Sequence, residues 1–226
     1  MTFKYYLVLI SVFFYSDLLL SQQLNEIANK AENIILSLSD DKVFPDSDFI
    51  DLKNFFSEET NNTNLITKYQ SAFTSFDSLK QHLNEFGIER VNVNTDSALT
   101  LFVDWYLHFQ RTFYKHSKQN FFGSPKTKIL FLSTSMSCHC TLEMCKKQLV
   151  GILKLKRETG DTHSFLVVDS YWNNDLQLKY ETFFAPAILI FNKSNELILK
   201  IEYEEEMIEK LTTFLSGIEK IWTMKH

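Results

Sequence analysis

The sequence predicts an α/β fold in its C-terminal half, with the order β-α-β-α-β-β-α, preceded by a mainly helical region. Three observations lead there. Short segments at 126–134 (KTKILFLST), 164–170 (SFLVVDS) and 187–192 (AILIFN), each with an unbroken apolar stretch of four or five residues, have the length and content of buried strands. Between them lie segments with apolar residues at helical spacing. Before residue 120 the helical spacing dominates, and the faces between the apolar stripes are polar.

The N-terminus reads as a targeting segment. Lys4 precedes the apolar run YYLVLISVFFYS (5–16), which Leu18, Leu19 and Leu20 continue before the chain turns polar at Ser21. A signal peptide over 1–21, cleaved after Ser21, is the expectation; Asp17 departs from the usual pattern, and an uncleaved N-terminal anchor is the alternative. Either outcome implies export, to a periplasm or the outside, with no membrane span after cleavage. No cysteine stands at the cleavage edge to carry a lipid.

Residues 22–125 form the expected helical region. QLNEIANKAENIILSL places Leu24, Ile27, Ala31, Ile34, Ile35 and Leu38 on one helix face. Pro45 breaks the pattern, FIDLKNFF (49–56) resumes it, and EETNNTN (58–64) is a loop. LITKYQSAFTSFDSLKQHLNEF (65–86) predicts a long helix capped by Gly87. ERVNVN is extended, and Asp96 or Ser97 caps a further helix through residue 119. Its aromatic stretch around Trp105 reads as packing. His82, His108 and His116 read as partly exposed helix residues. Phe121-Phe122-Gly123-Ser124-Pro125 is the expected domain boundary.

Residues 126–226 form the second expected domain. After the first strand comes a helix at 140–158, with Leu142, Leu149, Ile152 and Leu153 on its apolar stripe and Gly160 at its end. The second strand, a short helix in DLQLKYETF (175–183) and Pro186 follow. AILIFN and ELILKIEY (196–203) are strands of a hairpin turning at Lys193-Ser194-Asn195. Glu204, Glu205 and Glu206 then open a helix through Trp222, where acids suit the helix dipole.

Composition narrows the function. The chain has 226 residues, 45% of them hydrophobic, and a net charge of −5. That charge gives no footprint for nucleic acid. The five glycines are scattered, so no glycine-rich phosphate cradle exists and no nucleotide cofactor is expected. The patterns Asn61-Asn62-Thr63 and Asn192-Lys193-Ser194 fit a glycosylation acceptor and carry weight only in a eukaryotic secretory route.

All three cysteines, Cys138, Cys140 and Cys145, follow the first strand directly. A helix N-terminus presents unpaired N–H groups and partial positive charge, which stabilise a thiolate. Lys146 and Lys147 further along add positive potential. Three is an odd number, so one thiol is left over when two pair. Cys145 falls on the core-facing stripe. It is either a buried small hydrophobe or a resolving thiol for Cys138 or Cys140. Cys138, His139 and Cys140 would alternatively suit copper or zinc; His163, at the start of the second strand, has no evident route to them.

The strand-to-cysteine junction ILFLSTSMSCHC, the segment Tyr180-Glu181-Thr182-Phe183-Phe184-Ala185-Pro186-Ala187, and the closing hairpin and helix together resemble the thioredoxin fold over residues 126–222. The arrangement is similar to exported thioredoxin-like proteins of the TlpA and redoxin type, which carry an N-terminal helical extension. The resemblance implies thiol–disulfide exchange with protein disulfide substrates or a redox partner protein. It implies catalytic roles for Cys138 and Cys140, with Cys145 the further candidate as resolving thiol. It implies substrate contacts from Ser137, His139, Ala185 and a cis Pro186 facing the cysteines. Aligned without gaps, the family's Cys-x-x-Cys falls on Ser137-Cys138-His139-Cys140, with Ser137 in the nucleophile's place; a slip of one residue puts Cys138 there. A degenerate domain that only binds partners is the remaining alternative.

Overall fold

The computed structural model describes residues 3–40, 44–57, 66–67, 69–70 and 75–223. The expected loop at 58–64, with its Asn61-Asn62-Thr63 pattern, lies outside the described residues. Contacts divide the chain into two compact units, Met1–Tyr106 and Leu107–His226.

The first unit is helical. Helix α1 runs Phe3–Asp40, α2 Asp46–Ser57 and α3 Phe76–Glu89, and α4, Thr95–Thr112, begins in this unit. The apolar stripe of α1 is buried as its spacing predicts: Leu24, Ile27, Ala31, Ile34, Ile35 and Leu38 are all in the core. Aromatic rings fill the space between helices, with Phe86 against Phe102 at 5.0 Å and Phe56 edge-on to Trp105 at 5.8 Å. The polar ends of buried rings find partners: Trp105 Nε1 donates to the Leu79 carbonyl at 3.1 Å, and the Tyr106 hydroxyl meets Glu32 Oε1 at 2.9 Å. Among the described residues no helix is long and apolar enough to cross a membrane.

Several expected helix ends move. Helix α3 starts at Phe76, because Ser75 Oγ accepts the Ser78 N–H at 3.1 Å and caps it there. Gly87 does not end the helix. It sits inside, where a Cβ would come within 3.0 Å of Phe49 Cζ, so the glycine admits a neighbouring ring. Arg90–Asn92 form a 3₁₀ turn in place of an extended segment. The cap of α4 is Asn94, whose Oδ1 accepts the Ser97 N–H at 2.8 Å, and neither Asp96 nor Ser97. His108 and His116 are buried.

The second unit is built on a four-stranded sheet ordered β2-β1-β3-β4. Strand β1 is Thr127–Ser133, β2 His163–Asp169, β3 Ala187–Phe191 and β4 Leu197–Glu202. Strands β1 and β2 are parallel, while β3 runs antiparallel to both β1 and β4. Helix α5 is Tyr114–Gly123, α6 His139–Thr159, α7 Asp175–Lys179 and α8 Met207–Thr223. Side chains alternate across the sheet. Leu130, Leu132, Leu166, Val168, Leu189 and Phe191 face Phe121 and Leu176 on one side. Ile129, Phe131, Val167, Ile188 and Ile190 take the other face. Both faces are covered, which is why β1 reads as an unbroken apolar run.

The expected boundary at 121–125 is also revised. Phe121 and Phe122 lie in α5 and pack on Phe191, with ring centroids 6.3 Å and 5.6 Å away. Tyr114 and Lys118 of the same helix both hydrogen-bond Asp175. So α5 belongs with the sheet, and the compact unit begins at Leu107. Helix α7 stops at Lys179, short of residue 183. The three glutamates 204–206 precede α8, with only Glu209 in its first turn. The hairpin turns where expected: Asn192 Oδ1 accepts the N–H groups of Ser194 and Glu196, and Asn195 takes a left-handed φ of 66°.

Helices α6 and α8 approach at Gly151, where an added Cβ would lie 2.6 Å from Ile208 Cγ1. Gly217 in α8 has open space around it. Gly151→Val should therefore lower the unfolding free energy by ~1–3 kcal/mol through overpacking. Gly217→Ala should raise it by up to ~1 kcal/mol through helix propensity. Urea unfolding of both variants beside the parent checks the contrast.

Candidate active site

Strand β1, interior to the sheet, ends at Ser133, and the loop 134–137 carries the chain into α6. Thr134 Oγ1 closes that loop by donating to the Met136 carbonyl at 3.0 Å. Cys138 is the N-cap of α6, with extended backbone (φ −65°, ψ 155°), and its carbonyl accepts the Leu142 N–H at 3.1 Å. The loop is pinned from β2. Ser170 donates both its N–H (2.9 Å) and its hydroxyl (2.8 Å) to the Ser133 carbonyl. Asp169 Oδ1 accepts the N–H groups of Ser135 at 3.1 Å and Tyr171 at 3.3 Å.

Cys138 and Cys140 are exposed, and their sulfurs lie 2.8 Å apart. Cys138 Sγ is also 3.2 Å from Thr141 Oγ1. These contacts pull the Cys138 thiol down from 9.0 to about 6: the Cys140 thiol contributes most, then the Thr141 hydroxyl, then the Thr141 backbone N–H. Lys146, expected to add positive potential, is paired with Glu143 at 2.7 Å. The depression comes from hydrogen bonds at the helix start.

Cys145 is in a different environment. It is 3% exposed, and burial pushes its thiol up; hydrogen bonds from Thr134 and Ser133 oppose the shift and the Asp169 charge adds to it. Asp169 itself is fully buried. Burial raises its pKa above the usual carboxylate range, against the Ser135 hydrogen bonds, the Arg111 charge and the Tyr171 N–H. Arg111 Nη1 stands 3.9 Å from Asp169 Oδ2, and its guanidinium lies over the Trp172 ring at 5.0 Å.

An open groove of about 600 Å³ runs beside the cysteines. Met136, Ser137, Tyr171, Phe183, Phe184 and Tyr203 are among the residues lining it. Phe183 and Phe184 are 75% and 61% exposed, so the walls present apolar surface to solvent. The Ala185–Pro186 peptide is cis, Ala185 lines the groove and Pro186 is buried.

The structure thus brings Cys138, Cys140, Ser137 and Ala185 to one edge of the sheet. His139 is exposed on the first turn of α6. Among the described residues no group of three His, Cys, Asp or Glu side chains is placed to hold a metal ion, so His139 does not complete a ligand set with the two cysteines. His163 pairs with Thr127, at the end of the sheet opposite the cysteine loop. Sequence reading missed Thr141, Tyr203, Asp169 and Arg111. For Asp169 a signal existed, a carboxylate closing an apolar strand; for Thr141 the signal was its place three residues after Cys138.

No protein-family model matches the sequence, and no curated protein matches it. Solved structures do. The germline-specific thioredoxin Deadhead of Drosophila melanogaster is 18% identical, over 47% of this chain and 94% of its own, with a TM-score of 0.39. A thioredoxin of Trypanosoma brucei brucei is 17% identical over 46% and 83%, with a TM-score of 0.38. A redox protein from Chlamydomonas reinhardtii is 12% identical over 83% of this chain and 63% of its own, with a TM-score of 0.41. The strand order β2-β1-β3-β4, with β1 parallel to β2 and β3 antiparallel to both β1 and β4, agrees with the α/β order expected from the sequence.

The two thiol environments predict selective alkylation. Iodoacetamide should modify Cys138 with a half-point near pH 6, where an ordinary thiol is still protonated. Cys145 should stay unmodified until the protein unfolds. Peptide mass spectrometry across a pH series reads both, and equal rates at the two sites would refute the assignment.

Proposed function

We propose that the protein is a thiol–disulfide oxidoreductase acting on protein disulfides, with Cys138 as the attacking thiol and Cys140 as the resolving thiol. The observation that carries this is the placement of the Cys138 sulfur at the N-terminus of α6, 2.8 Å from Cys140 Sγ and with its pKa drawn down to about 6. A thiolate there is available at neutral pH.

In the reducing direction, the Cys138 thiolate attacks one sulfur of a substrate disulfide. That S–S bond breaks, the second substrate sulfur leaves as a thiolate and takes a proton from water, and a mixed disulfide remains. Cys140, as thiolate, then attacks Cys138 Sγ. The mixed disulfide breaks and the first substrate sulfur departs. Two electrons have passed to the substrate, and the protein holds a Cys138–Cys140 disulfide. A dithiol partner protein restores it. In the oxidising direction every step reverses.

The exposed groove walls at Phe183, Phe184 and Met136 favour a polypeptide over a small polar disulfide as substrate. The apolar run at 5–20 supports export of the chain, to a compartment where disulfides persist.

Insulin reduction followed by turbidity tests the reading. Cys138→Ser should abolish it. Cys140→Ser should accumulate a mixed disulfide visible on non-reducing gels, and Cys145→Ser should retain activity. Indistinguishable rates from the parent and all three variants would leave a partner-binding domain.

A further inference from the structure

We propose that Tyr203 is a positioning residue for the Cys138 thiolate, acting through the Thr141 hydroxyl. The inference rests on the reading of Cys138 as the attacking thiol and extends it to a residue on the far hairpin. The Tyr203 hydroxyl lies 3.3 Å from Thr141 Oγ1, which lies 3.2 Å from Cys138 Sγ. The first distance is long for a hydroxyl pair, as hydrogen bonds in unliganded catalytic sites often are.

The direction of the chain follows from what each atom can do. A thiolate only accepts, so Thr141 must donate its single hydrogen to the sulfur. Its oxygen then has lone pairs but no proton for Tyr203, and the phenol must donate to it. Successive hydrogen bonds of one sense polarise each other, so the phenol strengthens the donor that faces the thiolate. Thr141 is 9% exposed and lines the groove beside Tyr203, so its hydroxyl sits where the phenol can reach it.

The backbone gives an independent reason to single out Tyr203. Its φ is 51°, in the left-handed region where glycine or asparagine rests easily and a bulky aromatic does not. The conformation is held by its N–H, which donates to the Pro186 carbonyl at 2.9 Å, and by the Phe184 ring at 5.9 Å. A turn after β4 needs no phenol. The strained position instead places one against the first turn of α6.

The titratable groups around the sulfur are few. Cys140 bonds it directly, and His139 is exposed beside it on the same helix. Glu202 at the end of β4 is engaged by Lys200 and the Phe183 N–H. Cys145 and Asp169 lie in the buried layer with Ser133. Tyr203 is the titratable group that reaches the sulfur through Thr141.

The test is the pH profile of Cys138 alkylation in the full chain, read site by site by mass spectrometry. Thr141→Val should move the half-point upward from its value near 6, and Thr141→Ser should restore it. Tyr203→Phe should raise the half-point by about 0.3–0.5 pH units, a two- to threefold change in the ionisation constant at the lower end of what a single hydrogen bond is worth, and so slow alkylation at the parent's half-point by about one-and-a-half- to twofold. In a Thr141→Val background it should do nothing further. Tyr203→Asn, which suits the left-handed backbone, should shift the profile as Tyr203→Phe does. An unchanged profile in Tyr203→Phe, an equal shift with and without the Thr141 hydroxyl, or a shift in Tyr203→Asn alone would each overturn the proposal. Because alkylation needs no disulfide substrate, the two readings fail separately. A shifted profile in a protein that cannot reduce insulin removes the proposed function and leaves the relay. Insulin reduction with an unshifted profile removes the relay alone.

Discussion

A buried carboxylate ties the site together. Asp169 ends β2 with no exposed surface, and one of its oxygens accepts two backbone N–H groups from two different loops, Ser135 ahead of the cysteines and Tyr171 across the groove. Burying such a group is costly unless its lone pairs are satisfied and its charge is paired. Here the two N–H groups serve one oxygen, while the other makes no hydrogen bond among the described residues and has only the Arg111 guanidinium 3.9 Å away. Removing either partner would leave an uncompensated group in the interior, so the loops and the carboxylate hold each other in place. The loop before Cys138 is anchored at Ser135 by this carboxylate and closed on itself between Thr134 and Met136, which steadies the start of α6. Two of the segments that line the groove, at Ser135–Ser137 and at Tyr171, are tied to Asp169, while Phe183 is held separately by Glu202.

In the proposed exchange the roles of the cysteines follow from the position of α6. An ungapped comparison of the sequence with a Cys-x-x-Cys motif lands on Ser137 and Cys140. The helix begins one residue later than that comparison implies, with Cys138 as its cap. The residue three beyond the cap is then Thr141, whose hydroxyl faces the sulfur from the position that lies over it on the helix surface. Cys140, two beyond, is on the exposed side yet still within 2.8 Å, because the first turn has not yet carried it round. A hydroxyl supports the Cys138 sulfur, and in the proposed exchange the second thiol beside it would attack the mixed disulfide.

The sheet and the long apolar stripes were legible because burial on a periodic face leaves a periodic trace. The run at 129–132 is buried on both faces, and the α1 stripe from Leu24 to Leu38 packs as spaced. Helix ends were not legible, because competing caps sit within a few residues of one another. Asn94, Asp96 and Ser97 all have cap chemistry, and only the fold selects Asn94. Gly87 carries the signature of a helix end but serves the approach of Phe49. The cysteines were conspicuous as a cluster. Tyr203, Asp169 and Arg111 were not, since each comes from a separate element and only tertiary structure brings them to the sulfur or the loop before it.

The odd cysteine fits this division. Cys145 shares a helix with the other two, but burial raises its pKa where hydrogen bonds at the helix start lower that of Cys138. A buried thiol held in its protonated form is both a poor nucleophile and a poor target. In the proposed exchange, oxidation joining Cys138 to Cys140 would leave Cys145 reduced without needing a partner for it. The sulfur cluster of the sequence is in physical terms two populations, separated by little more than one turn of helix. What separates them is access to solvent and to the hydrogen-bond donors of the first turn.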